Sequence, residues 1–384
     1  MDIVNGKLFP MEDQPIPNGY LRVEQGCITG LGAMEDYAPQ GGETFDVQGA
    51  LIYPGFIDAH THLGMWEDGL GFEGDDGNED TDPSTPHMRA LDGVNPYDRC
   101  FEEGLRAGVT TVLTGPGSAN PVGGQVIAMK TWGRTLKDMV LLAPCAIKFA
   151  LGENPKTIYH GKSQAPSTRM ATAAIIREQF YKAERYAEDK RRAATDEEAD
   201  VPEYDIKCEA MLPLLRGEIP AHFHAHRADD IGTAIRIAEE FGIRFSIIHA
   251  TEGHLIADVL SREDVSVLMG PLLCDRSKPE MRNLTPAAAG ILHRAGVPMA
   301  LVTDHPVIPV QYLPLIAALA VREGLDREAA LRAITIDAAR ICGLDSRVGS
   351  LSVGKDADFV LFDGDPLDIM NKPKFVFIQG SRVV

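Results

Sequence analysis

Apolar and polar positions follow two textures along the chain. Over residues 1–50, short apolar runs broken by Gly, Pro and Asn (DIVNGKLF, GYLRVEQGCITGLG, ETFDVQGALIYPG) predict strands joined by tight turns. RVGSLSVGKDADFVLFDG and KFVFIQGSRVV, between 347 and 384, repeat that texture. The two chain ends therefore predict one small β domain, 1–53 with 341–384. Between them, apolar runs of strand length alternate with longer helical patterns, the rhythm of a parallel α/β sheet. The rhythm is clearest where IPAHFHAH is followed by DDIGTAIRIAEEFG and then IRFSIIHA. Ile231, Ala234, Ile235, Ala238 and Phe241 recur at helical spacing on one face. Asp229 or Asp230 is the expected N-cap and Gly242 the expected left-handed stop. The span 54–340 exceeds the roughly 250 residues of a typical α/β barrel and suits one with insertions, so a (β/α)8 TIM barrel is the expected fold.

Three segments interrupt the rhythm. Residues 67–82, EDGLGFEGDDGNEDTD, carry eight carboxylates in sixteen positions, whose repulsion favours an exposed loop. The loop follows the first barrel strand, so it is expected near the active-site mouth, where it would gate entry or disfavour anions; the spacing of a calcium loop is missing. Residues 178–203 mix charges at helical spacing and predict a solvated helix followed by a loop. GPGSANPVGGQ at 115–125 matches neither phosphate-loop spacing and reads as an irregular loop after the third strand, over the substrate.

Composition narrows the partners. Thirty-seven basic against 56 acidic residues give a net charge of −19, which argues against nucleic acid and an anionic membrane surface. Cys27, Cys100, Cys145, Cys208, Cys274 and Cys342 are too scattered for a zinc knuckle and read as reduced thiols of a cytoplasmic protein. Neither a secretion signal nor an apolar stretch of membrane-spanning length is visible.

The chemistry concentrates at strand ends. In PGFIDAHTHLG, His60 and His62 stand at i and i+2, facing one side of a strand about 6.6 Å apart, as two ligands of one metal ion would. His224 in PAHFHAH, His249 in IRFSIIHA and Asp304 in VPMALVTDH also close apolar runs. In a barrel such ends meet at the face where active sites form. A set of four His and one Asp suits Zn²⁺ best, with Fe²⁺, Mn²⁺ or Co²⁺ as alternatives. His222 and His226 share the strand face of His224 but lie about 13 Å apart and cannot bind the same ion.

PGFIDAHTHLG, GVTTV at 108–112, the later His-bearing runs, TDHP at 303–306 and VGSLSVGKDADFVLFDG at 348–364 resemble the metal-dependent amidohydrolase superfamily, near the branch of imidazolonepropionase and prolidase-like dipeptidases. The resemblance implies a distorted barrel with a β-sandwich built from both chain ends. It also implies one or two metals that activate water for attack on an amide, amidine or related carbon. Position by position, it implies His60 and His62 as first-strand ligands, His224 as the fifth, His249 as the sixth and Asp304 as the eighth. His226 falls where relatives place a residue near the substrate or the activated water, so His226 and His249 join Asp304 as catalytic candidates. Asp304 would accept the proton of the water and pass it to the leaving nitrogen. Two bridges remain open: Lys148, carbamylated by CO₂, or Glu153; a third alternative is a single metal with neither, the two side chains forming an ion pair.

The expected activity is hydrolysis of a C–N bond in a cyclic amide, a small dipeptide or an N-acyl compound. The alternatives are a mononuclear deaminase or an imidazolonepropionase-like enzyme, and a non-catalytic scaffold. The resemblance further implies a small-molecule substrate and self-association of copies of the chain.

Overall fold

The computed structural model describes residues 1–384. Five strands come first: β1 (Asp2–Leu8), β2 (Ile16–Glu24), β3 (Cys27–Ala33), β4 (Thr44–Asp46) and β5 (Leu51–Pro54). Eight more form the barrel: β6 (Phe56–Thr61), β7 (Val109–Thr114), β8 (Val122–Lys130), β9 (Val140–Ala150), β10 (Ala221–Ala225), β11 (Phe245–His249), β12 (Ser266–Met269) and β13 (Met299–Leu301). Finally β14 (Phe359–Phe362), β15 (Phe375–Ile378) and β16 (Ser381–Arg382) return to the first group. The chain ends thus share one hydrogen-bonded sheet, in the order β16-β15-β14-β5-β1-β2-β3 with β4 beside β1. Alternating apolar residues give that sheet a core of its own, including Ile3, Leu21, Ile52, Leu351 and Phe359. A buried lysine joins it to the barrel: Lys130, ending β8, lies 2.9 Å from Asp356 and also donates to Asp358.

Barrel strands follow chain order, and neighbours are parallel except that β8 runs antiparallel to both β7 and β9. The connections explain the exception. Parallel neighbours need a crossover of about a dozen residues or more, whereas only 115–121 join β7 to β8. This corrects the reading of GPGSANPVGGQ: the loop follows the second barrel strand, and Val122, Gly123, Gly124 and Gln125 already belong to β8.

The barrel closes without a β6–β13 ladder. His60 accepts from the amide of Asp304 at 3.2 Å, and His305 accepts from the amide of His62 at 2.9 Å. The helix Ala228–Phe241 buries Ile231, Ala234, Ile235 and Ala238 and stops at Gly242 in the left-handed conformation. Its N-cap is Arg227 rather than Asp229 or Asp230, which sit in the first turn beside the helix's positive end. The helix Arg169–Thr195 is longer than its charge pattern suggests and is not simply solvated: Ile176, Phe180 and Ala183 are buried, and Phe180 stacks on Phe149 of β9 at 5.4 Å. No helix is long and apolar enough to cross a membrane.

Candidate metal centre

Two clusters of metal-ligating side chains face each other at the C-terminal ends of the barrel strands: His60, His62 and Asp304, and His224, His226 and His249. In the first, Asp304 Oδ1 lies 3.3 Å from His60 Nε2 and 3.4 Å from His62 Nε2. Tetrahedral zinc ligands about 2.0–2.1 Å from the ion hold their donor atoms roughly 3.3 Å apart, so this spacing fits a shared ion. The Nδ1 atom of His62 is 2.6 Å from the carbonyl of Gly115, and that of His249 is 2.6 Å from the carbonyl of Gly270. A ring whose Nδ1–H donates to a carbonyl leaves Nε2 as a free lone pair, which is how ligating imidazoles are oriented. Burial, then the nearby Lys148, holds His60 well below the usual imidazole range; burial likewise dominates for His224 and His249. Each shift favours the neutral ring, the form that binds metal.

The backbone at this face is strained. His249 has φ 75°, Ala250 φ 45° and Asp304 φ 57°, left-handed conformations that cost a non-glycine residue about 1–2 kcal/mol. Such outliers cluster where surrounding structure must aim a functional side chain. Here they turn His249 and Asp304 off the ends of β11 and β13 into one cavity of about 380 Å³, shared with His62, Trp66, Lys148 and His224.

Other expected residues divide. Lys148 on β9 is buried, with Nζ 3.3 Å from His60 Nε2. Burial pulls its amine down to about 8 against the opposing pull of Asp304. His226 lies within the second cluster, its ring stacked on His249 at 4.4 Å and its Nδ1 2.7 Å from Thr251 Oγ1. Glu153 is not brought to the cavity: it begins the helix Glu153–Gly161 and lines a separate polar cavity with Lys156, His160 and Arg169. Nor does it pair with Lys148. His222 is buried below the centre with both ring nitrogens unpartnered.

Two residues near the centre escape sequence reasoning. Glu280 is buried, with Oε1 3.9 Å from His224 Nε2 and 3.7 Å from His226 Nε2. Lys278 lines the cavity and donates to Asn154 Oδ1 at 2.9 Å; Asn154 in turn donates to Ser118 Oγ at 2.6 Å. Both stand in the aperiodic loop after β12, where the only signal is charge next to Pro279. Trp66, just before the acidic loop, and Asn78 within it reach the cavity, but Asp75, Asp76, Glu79 and Asp80 line a neighbouring one of about 520 Å³.

The family model described as "Amidohydrolase family" matches residues 51–384. The chain belongs to the amidohydrolase family. Membership carries hydrolysis of carbon–nitrogen bonds as its class of reaction. This amidohydrolase is 30% identical to the amidohydrolase tasK of Hapsidospora irregularis over 94% of its own length, and spans 39% of that relative. It is 27% identical to the imidazolonepropionase of Cupriavidus taiwanensis, covering 92% of this chain and 87% of the relative. The crystal structure of an amidohydrolase from Thermotoga maritima MSB8 superposes with a TM-score of 0.96 at 43% identity, over 100% of this amidohydrolase and 99% of that chain.

Proposed function

We propose that this amidohydrolase is a zinc-dependent enzyme that hydrolyses an amide bond in a small substrate bearing a carboxylate, an N-acyl amino acid or a dipeptide. The carrying observation is the convergence of His60, His62 and Asp304, with donor spacings of 3.3 and 3.4 Å, where His62 and Asp304 open onto a cavity of about 380 Å³. That volume lies within the range of small-ligand sites. His60, His62 and Asp304 would hold one ion; His224 and His249, beside them, would hold a second. A bound Zn²⁺ lowers the pKa of water toward about 7 and polarises the scissile carbonyl.

Asp304 is the base, accepting the proton of the attacking water and returning it to the leaving nitrogen. Lys148, buried between the clusters with a lowered pKa, is suited to react with CO₂ and serve as an anionic bridge. His226 faces the substrate side of the centre. Lys278, held by Asn154 and without a carboxylate partner among the ion pairs, supplies the charge for a substrate carboxylate. The catalytic unit is 54–340, with 1–53 and 341–384 as its annex. Cytoplasmic residence and self-association complete the proposal.

The test is a screen of N-acyl amino acids, dipeptides and cyclic amides. Hydrolysis that disappears on chelation and returns with Zn²⁺ is expected. Full activity in metal-free protein overturns the proposal, and turnover confined to amino-substituted heterocycles with release of ammonia reassigns the enzyme as a deaminase.

A further inference from the structure

Glu280 has no task in that reaction, yet it is among the most thoroughly buried carboxylates of the chain, at 1% exposure. One oxygen is accounted for: Oε2 accepts the amide of Glu153 at 3.0 Å, at the start of the helix Glu153–Gly161. Room for it is made by Gly152, at φ 84°, where a Cβ would come within 2.9 Å of Oε2. The other oxygen, Oε1, has no hydrogen-bond partner and points at the Nε2 atoms of His224 and His226. An ionised carboxylate left this way in a protein interior is costly unless a cation completes it.

The histidine cluster has the complementary deficit. His224, His226 and His249 offer donor atoms all within 4.8 Å of one another, and none carries negative charge. A divalent ion held by three neutral imidazoles would bring two uncompensated positive charges into a buried site. The first cluster meets that need with Asp304; for the second, apart from any bridge shared through Lys148, the nearest carboxylate is Glu280. Ligand oxygen and nitrogen atoms about 2.0–2.2 Å from a shared tetrahedral ion stand roughly 3.3–3.5 Å apart. The observed 3.7 and 3.9 Å exceed this by a few tenths of an ångström, within reach of a small side-chain adjustment.

We infer that Glu280 Oε1 is a metal ligand that completes, with His224, His226 and His249, a second divalent-cation site beside that of His60, His62 and Asp304. The inference rests on the reading of the chain as a metalloenzyme. It differs from the scheme above in assigning His226 to the metal rather than to the substrate, and in providing the second ion with an anion of its own.

The full chain, stripped of metal and titrated with Zn²⁺ or Co²⁺, tests it through bound metal per chain and the visible spectrum of the cobalt form. Wild type is expected to hold two ions. Glu280→Gln is expected to lose more than about 100-fold in affinity for one of them, since residues that merely orient ligands typically cost about 10–100-fold. Asp304→Asn should weaken the other ion and leave a different cobalt spectrum. Metal-free E280Q should melt no lower than metal-free wild type, because an unpaired buried charge has been removed, and should gain less from added Zn²⁺. A purely structural Glu280 predicts the opposite order of the metal-free melts. If E280Q does not fold, Glu280→Asp retains the charge but shortens its reach and should show the same selective loss.

Retention of both ions by E280Q, with affinities within tenfold of wild type, overturns the inference. If wild type holds a single ion, its loss in E280Q but not in D304N supports the inference while the His60 site fails; the reverse pattern overturns it. No bound metal in wild type overturns both.

Discussion

Thr303 fastens the two ends of the barrel to each other through Asp58. Its hydroxyl lies 2.5 Å from Asp58 Oδ2, and its amide lies 3.3 Å from both carboxylate oxygens. The pair spans the seam where β6 and β13 share no ladder, one residue before Asp304 and two before His60. Thr303→Val keeps the shape and removes the hydroxyl. Loss of a hydrogen bond to a buried carboxyl is expected to cost about 1–3 kcal/mol in urea unfolding, with Thr303→Ser restoring most of it. An unchanged unfolding midpoint would mean that the seam is held elsewhere.

Gly270 carries the carbonyl that orients His249. A Cβ at this position would meet the carbonyl oxygen of Val302 at 2.0 Å, so Gly270→Ala must move backbone. The expected cost is about 1–3 kcal/mol of stability from overpacking. Metal affinity should fall about 10–100-fold, as when a ligand loses its orienting partner. Equilibrium unfolding and metal titration read the two effects separately.

Asp304 should divide turnover from folding. In Asp304→Asn, kcat is expected to fall by about 10²–10⁴, the contribution of a positioned acid or base, with further loss where metal occupancy also drops. Initial rates at saturating Zn²⁺ on whichever N-acyl amino acid or dipeptide the wild type hydrolyses provide the check, alongside a melting curve close to wild type.

Lys130 is nearly inaccessible and holds two carboxylates, Asp356 and Asp358, across the junction of barrel and end sheet. Lys130→Met leaves Asp358 buried without a cation, while Asp356 keeps Arg347 at 2.8 Å. Breaking a buried pair in this way costs about 3–5 kcal/mol, measurable by denaturant unfolding. The triple variant that also removes both acids, Asp356→Asn and Asp358→Asn, should recover much of the loss.

Glu12 ties the N-terminal segment to the C-terminal one. Burial pushes its carboxyl up, but Lys355 at 2.8 Å, Ser350 and Arg340 outweigh burial and bring it down to about 2. A depressed folded-state pKa stabilises the protein above the unfolded value near 4.5, and that stability is lost as pH falls toward 2. With allowance for solvent screening, Glu12→Gln is expected to cost about 1–2 kcal/mol at pH 7. Melting curves of the two proteins should draw together as pH falls below about 4.5 and meet near pH 2; a gap independent of pH would assign the loss to packing.

How much of the architecture is legible in the sequence depends on periodicity. His60, His62, His224, His249 and Asp304 attract notice because each closes an apolar run, and strand ends in a barrel share one face. Glu280 does not, because CDRSKPEMRN has no period and a carboxylate in such a loop reads as solvated surface. Glu153, five residues after Lys148, looks adjacent to the centre, but the chain turns at Gly152 into a helix and carries its side chain to another cavity. The antiparallel course of β8 is hidden by its own Gly123 and Gly124, which resemble a loop. For the helix Arg169–Thr195, charge obscures the buried stripe of Ile176, Phe180 and Ala183.

The insertion of β14 between β5 and β15 means that the end sheet cannot close until the whole barrel has been synthesised. Until residues 359–362 leave the ribosome, Leu51–Pro54 presents an open, largely buried-type apolar edge while the whole barrel emerges behind it. An unpaired edge is a template for pairing with another chain. A chain cut short before Phe359 would therefore retain every side chain of both histidine clusters and still expose this edge, so an intact set of metal-ligating residues does not by itself protect the protein from aggregation.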